Sequence, residues 1–508
     1  MHKPMKLAGL LVAALTTASA LAACGGTSSS GGTTDDTLTV GLQSPLLTFD
    51  PTKMDCATSR LYCQATYDTL VHLSADGKPE PGMAESFEYD AKGTALTLSL
   101  RKGITFTDGT AFDATTAKAA LDWFIKNGGP NAAMSASITK VSTEGEDLVI
   151  TLSEPDPALL GNLASNLGMM ASPEALRSPS IGTEPAGSGP YVYNKGRSQT
   201  GSTYFDRNDA YWDTDAYPFA HLELVQLSDP NTVLNALKVG QIDAASVGAR
   251  ELPAAKEAGL SVMESAGSWT GLVLADRAGK VQPALGEVEV RQAINLALDR
   301  DFYITELVPT GAVATDQIFA PGGPAYDEAL DDQYAHDVEK AKALMAEAGY
   351  ADGFSVTMPD LSQFVGGPAP NTALEQMLGS IDIKVTWEKV PVIELLGAMQ
   401  GGKFAMFMMA LPTQSPWQDI QAAVLPEAAF NAFHSANPEL DRLLSTARHA
   451  APGAEQDTAY KAINTWLVDN AWFAPLINSS TPFVSVEGVT IEPQVQGVDL
   501  ARYQPSKK

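Results

Sequence analysis

The residue spacings that could support catalysis exclude more than they allow. Ser137-Ile138-Thr139-Lys140 has the S-x-x-K spacing of acyl-serine enzymes, but no S-D-N or K-T-G follows to complete such a site. A four-residue match without its companions supplies no activated nucleophile. The chain also lacks G-x-S-x-G, H-E-x-x-H and G-x-x-x-x-G-K-[ST], so serine hydrolases, zinc peptidases and P-loop nucleotidases lose their sequence support. Beyond His2 the histidines are His72, His221, His336, His434 and His449, and no two stand at i, i+3 or i+4, so no local metal clasp exists. No catalytic residue, metal or cofactor is expected.

Three cysteines remain to be placed. His2, Lys3 and Lys6 form a basic start, Leu7–Leu15 an apolar run, and Leu21-Ala22-Ala23-Cys24 puts small residues ahead of a thiol. That is the layout of an export signal. Its ending resembles the bacterial lipobox, which implies that Cys24 is lipidated and becomes the first residue. A transmembrane anchor is the alternative, but residues 7–23 are at the short limit for a span and carry Thr16, Thr17 and Ser19. Residues 25–36, GGTSSSGGTTDD, cannot bury enough apolar surface to order themselves and read as a tether with a root-mean-square span of about 20 Å. Such a tether points to a partner in the same membrane. In an exported chain the remaining even pair, Cys56 and Cys63, suggests a disulfide, with two buried thiols as the alternative. Seven residues along one helix would separate their Cα atoms by about 10 Å, so a bond requires a break in any helix there.

The elements that carry these residues alternate. Leu96, Leu98 and Leu100 in LTLSL, and Ile383, Val385 and Trp387 in IKVTW, read as half-buried strands. Val290, Ala293, Ile294, Ala297 and Leu298 recur at helical spacing. So do Val338, Ala341, Leu344, Met345 and Ala348, with Gly349 as a stop, and Leu440, Leu443, Leu444 and Ala447. Alternation without internal repeats argues for an α/β protein with mixed sheets. Removing residues 1–23 from 508 leaves 485, enough for two or three domains. Gly/Pro punctuation at 127–130, 182–190, 321–324 and 366–370 is too short for an interdomain linker. The net charge of −27 repels nucleic acid and anionic headgroups, and no later run of 18 apolar residues could span a membrane.

Residues 81–125, PGMAESFEYDAKGTALTLSLRKGITFTDGTAFDATTAKAALDWFI, carry a recognisable order. Met83–Ser86, Leu100–Gly103 and Phe106–Gly109 resemble the signature stretch of the family 5 solute-binding proteins, the peptide/nickel/opine type of ABC importer receptor. Gly187–Tyr191, Arg207–Trp212, Leu237–Asp243, Val290–Ala293 through Arg300, and Ala341–Tyr350 resemble later motifs of that family in the same order. The resemblance runs from about residue 37 to about 480. It implies a two-lobed, periplasmic-binding-protein-like fold (type II, cluster C) with an extra subdomain in lobe I. Lobe I would hold 37–270 plus 477–508, with the subdomain at about 70–185, and lobe II would hold 271–476. Function would be capture of a small-molecule or peptide-like ligand by hinge closure. Delivery would be to an ABC permease and ATPase, by a monomer held outside the cell membrane through its lipid. A signalling or chaperone-like lipoprotein on the same fold, or a cell-envelope hydrolase, is the competing reading. Nickel held across the lobes or in a chelate stays open, because relatives carry it.

The resemblance also places the ligand residues. Ser268, Trp269 and Thr270 lie at its first crossover between lobes; Met409, Leu411, Thr413, Gln414 and Trp417 lie on the strand and loop that lead into the cleft; Gln363 and Phe49 come from other cleft loops. Trp269 and Trp417 offer large apolar faces with a polar edge, which suits a pocket, with core packing as the alternative. Met406, Met408 and Met409 read first as core. In peptide-binding relatives an aspartate follows this strand and pairs with the peptide's amino group, and here Gln414 takes that place. A neutral amide cannot give the charge-assisted bond, so free-amine peptides are expected to bind weakly unless Asp419 swings into the role.

Overall fold

The structure, a computed structural model, describes residues 36–506 apart from 57–58, 309–310, 363–366 and 496. Cys24 and Gln363 lie outside the described residues.

The Leu96, Leu98, Leu100 alternation buries one face of the strand Ala95–Leu100. This strand pairs antiparallel with Ala84–Tyr89 and Asp147–Leu152, and Ile138–Glu144 completes a four-stranded sheet. Helix Ala114–Asn127 packs on the last two strands. Asp113 opens that helix by accepting from the Thr116 N–H, and the Thr116 hydroxyl accepts from the Asp113 N–H in return. Together these elements form a subdomain. Its buried residues share one apolar core with Leu38, Phe205 and Leu222 outside it, and a polar cluster lies in the segment that leads into it. Asp68, buried, accepts from Tyr211 Oη at 2.9 Å, Trp212 Nε1 at 2.7 Å and the Thr69 N–H at 2.7 Å, and it pairs with His72 Nε2 at 2.6 Å. The Arg101 guanidinium covers the Trp212 ring at 4.0 Å.

The main sheet has nine strands. Thr37–Leu42 is its parallel centre, between His221–Gln226 and Ala244–Ser246. Two long strands, Ser261–Val273 and Phe473–Ser485, pair antiparallel from Ser261–Ser485 to Val273–Phe473. Phe407–Pro412 adds an edge to the first and Ala312–Ala314 pairs with the second. The long strands pass between two cores. One gathers residues from Leu38 to Met263 and from Val489 to Tyr503; the other, apart from Ala158, runs from Trp269 to Ile477 and includes the helices Val288–Ala297, Val338–Glu347 and Pro438–His449. A small third core surrounds Leu237. Register shifts fall at Ala266/Ser268 and Thr270/Gly271. A Cβ on Gly267 would stand 2.5 Å from the Ser479 carbonyl oxygen, and one on Gly271 would stand 2.5 Å from that of Ala474. Glycine at both positions lets the two backbones approach at the irregularities.

Cys56 and Cys63 are bonded, with Cα atoms 6.0 Å apart. Cys56 lies outside the helix Arg60–Thr66 that holds Cys63, so the pair does not share one helix, as the geometry requires. The methionines divide: Met406 and Met408 are buried in the second core, while Met409 is half-buried at its edge.

The Asp68–His72 pair titrates in a defined sense. Burial pulls the His72 imidazole down, but the Asp68 carboxylate outweighs it and holds the pKa above the ordinary histidine value. Burial likewise pushes Asp68 up, and His72 with the hydrogen bonds overrides it, leaving Asp68 below its ordinary value. The His72 contribution to stability is therefore complete below about pH 6.5 and is lost as pH rises through the raised pKa. The melting-temperature gap between wild type and His72→Gln should be widest near pH 5.5 and should narrow toward pH 9; a gap that widens with pH would contradict the pairing.

Candidate ligand-binding site

Period-two alternation sorts the crossover residues onto opposite faces. Ser268 pairs with Pro412, Trp269 with Leu411, Thr270 with Ala410 and Gly271 with Met409. Ser268 and Thr270 are half-buried and share a face with exposed Ala410 and Pro412. Ser479 lies opposite Ser268 and donates its hydroxyl to the Ser268 carbonyl at 3.1 Å. Trp269 and Leu411 point the other way. Trp269 is 2% exposed and meets Phe473 edge-on at 5.5 Å between centroids, inside the second core. The structure thus joins Ser268 and Thr270 in one polar strip and separates Trp269 from them. Phe49 is not joined to this group. It is buried in the first core against Tyr193 at 4.7 Å, and its carbonyl accepts from Tyr67 Oη at 2.7 Å.

The segment after the edge strand is a helix, Pro416–Ala423, where the sequence reading places Trp417 in a loop. Ser415-Pro416-Trp417-Gln418 explains it. The Gln418 Oε1 accepts from the Ser415 hydroxyl at 2.7 Å and from the Ser415 N–H at 3.3 Å, and Pro416 suits the first helical position. Helical winding turns Trp417 inward. It is 1% exposed, with Tyr460 at 6.4 Å and the Arg448 guanidinium over it at 5.2 Å. The short link 413–415 is held at both ends. Thr413, buried, donates its N–H to the Gly267 carbonyl at 3.1 Å, and the Gln414 N–H donates to Asp419 Oδ1 at 2.9 Å. The Gln414 residue itself is exposed.

Asp419 is therefore buried beneath the link rather than presented outward. Burial drives its carboxyl far above the ordinary range, and the single N–H from Gln414 only partly opposes that. Its Oδ2 has no hydrogen-bond partner among the described residues.

The same helix faces the subdomain. Gln418 Nε2 donates to Asn162 Oδ1 at 3.3 Å, Arg448 forms an ion pair with Glu154, and Ala158 lies within the second core. Beside the Arg448–Glu154 pair is a cavity of about 150 Å³, lined by Ser137, Ser153 and Asp156 from the subdomain and by Trp417, Gln421 and Leu425. The Ser137 hydroxyl donates to Asp156 Oδ2 at 2.7 Å, so the serine of the S-x-x-K match is tied to a carboxylate in this wall. Asn162, Glu154 and Arg448 carry no motif, and sequence reasoning misses them. The S-x-x-Q capping signature was the one signal that could have exposed Gln418. Among the described residues, no group of three or more His, Cys, Asp or Glu side chains could hold a metal ion.

Comparison with known proteins places this geometry. Residues 78–425 match the model of the family described as bacterial extracellular solute-binding proteins, family 5 middle. The chain is 26% identical over 459 residues to the glutathione-binding protein GsiB of Salmonella paratyphi A, covering 87% of this chain and 88% of the relative. Among solved structures it is similar to the periplasmic binding protein AgaA of A. tumefaciens R10 in complex with agropinic acid. The TM-score is 0.76 at 25% identity, covering 93% of this chain and 99% of that one. It also shares its fold with the periplasmic binding protein DppA of Helicobacter pylori in complex with the peptide STSA, at a TM-score of 0.76 and 20% identity, covering 93% and 98%.

The buried carboxyl gives a test of the link. A carboxyl whose pKa is raised in the folded state favours folding below its unfolded value of about 3.9 and loses that advantage as pH rises through the folded value. Wild type should lose stability relative to Asp419→Asn as pH rises from 4 to 8 in denaturant melts. A difference that stays flat across that range would show the carboxyl to be solvated.

Proposed function

The chain belongs to the bacterial extracellular solute-binding proteins of family 5, and from that premise we propose that it captures a small solute between two lobes and delivers it to a membrane permease and ATPase. The observation that carries this reading is the match over residues 78–425, which takes in the subdomain, the first long strand and the Trp417 helix in one order. Lobe I is residues 37–270 with 477–508, including the subdomain at about 70–185, and lobe II is 271–476. The division of the apolar cores on either side of the long strands supports these boundaries. Ligand contacts both lobes and stabilises the closed arrangement by its differential affinity for it. The protein acts as a monomer outside the cell, held to the membrane by lipid on Cys24 and given reach by residues 25–36. The family is described as extracellular solute-binding proteins, which supports binding over turnover.

The ligand is peptide-like or another small metabolite. The relatives named for glutathione, agropinic acid and the peptide STSA share small size and polar ends, which suits the strip of Ser268 and Thr270. Charge narrows the class. Gln414 is neutral and exposed, and Asp419 sits beneath the link with its ionisation suppressed, so neither supplies the carboxylate that would compensate a desolvated ammonium. Uncharged or N-blocked peptides, or sugar-like molecules, fit better than free-amine di- to pentapeptides.

Calorimetry against matched free-amine and N-acetylated peptide libraries tests the class. The N-acetylated set should bind more tightly. Sub-micromolar binding that disappears on acetylation and on Asp419→Asn would overturn the charge argument. Anchoring is tested separately: Cys24→Ser should move the protein from the membrane fraction to the soluble one, and retention after a salt wash would contradict the lipid attachment.

A further inference from the structure

The helix Pro416–Ala423 makes two connections with one side chain. Gln418 spends its Oε1 on the cap, accepting from Ser415, and its Nε2 on Asn162 of the subdomain. Asn162 cannot rotate to suit a different partner at no cost, because its own Nδ2 donates to the Met134 carbonyl at 3.2 Å. Gly161 lies beside the contact, and a Cβ there would stand 3.5 Å from the Gln418 amide. A few residues away the Arg448 guanidinium pairs with Glu154 while lying over the Trp417 ring. Arg448 comes from the last turn of the helix Pro438–His449, where a cation is favoured by the helix dipole. Asp156 and Glu427 are the other charged groups that line the neighbouring cavity.

We infer that Gln418 and Arg448 are positioning residues that clasp the second lobe to the subdomain, and that through Gln418 the clasp and the 413–415 link order together. The amide orientation that reaches Asn162 is the one that caps Ser415, and Ser415 is next to Gln414, whose N–H is held by Asp419. Parting the lobes frees the Gln418 amide, and the cap that fixes the link loses its orienting partner. The inference rests on the two-lobed reading above, but its test needs no ligand, so a failed clasp and a failed binding assay are distinguishable.

Gln418→Glu separates the two roles. A glutamate still accepts from Ser415 and keeps the helix start, but it has no N–H for Asn162. Hydrogen–deuterium exchange of the full-length protein should show residues 153–162 and 411–415 exchanging about two- to fivefold faster than in wild type, the scale of one lost hydrogen bond or exposed ion pair. Residues 417–423 should keep their protection. Glu154→Arg and Arg448→Glu should each speed exchange on both sides of the wall, and the double reversal should exchange more slowly than either single variant. The clasp is overturned if Gln418→Glu leaves 153–162 at the wild-type rate, or if the double reversal exchanges as fast as the faster single variant. The coupling is overturned if 153–162 speeds up while 411–415 does not.

Discussion

Two thirteen-residue strands, Ser261–Val273 and Phe473–Ser485, carry the chain between its cores, and their close approach constrains the rest of the structure. Gly267 and Gly271 permit that approach because a side chain at either place would meet a carbonyl oxygen of the partner strand. Each strand feeds apolar residues to more than one core. Met263 goes to the first, and Trp269, Leu272 and Val273 go to the second. A ribbon anchored at both ends and irregular at Ala266/Ser268 and Thr270/Gly271 can bend near those positions while its ends stay packed. The polar strip of Ser268 and Thr270 lies on the same stretch, so the place where solute would be gripped is also the place where the lobes would move.

Polar chemistry then decides how the parts meet. On one side the subdomain shares an apolar core with the main sheet, and Asp68 with its four partners ties the segment leading into it to Tyr211 and Trp212. At the far wall the polar contacts are one amide–amide bond and one partly exposed ion pair, with Ala158 packed into the second core beside them. Within lobe II, buried Arg300 donates to the carbonyls of Thr315, Pro475 and Tyr334 and pairs with Asp316 at 2.6 Å, fixing the second long strand to the helices around it.

The sequence made the architecture readable because most of its signals are local. Leu96, Leu98 and Leu100 announce a strand, Ala341 and Met345 a buried helix face, and the turn glycines Gly103 and Gly109 adopt φ of +80° and +85°. The site was less legible. Trp269 and Trp417 look alike in sequence as cleft aromatics, yet strand alternation buries the first and helical winding buries the second. Recognising the S-x-x-Q start before the helix would have turned Trp417 inward and placed Gln418 at its first turn. Asn162 and Glu154 stand hundreds of residues from their partners Gln418 and Arg448 and meet them only through the tertiary fold, which no local spacing encodes.

The central claim is that two lobes close on a solute about the long strands. Small-angle X-ray scattering of the protein, without and with saturating amounts of the solute that calorimetry identifies, measures this most directly. The account predicts a smaller radius of gyration at saturation, fitted by rotating 271–476 as a rigid body against the remainder. Scattering curves that superimpose at saturating solute would contradict it.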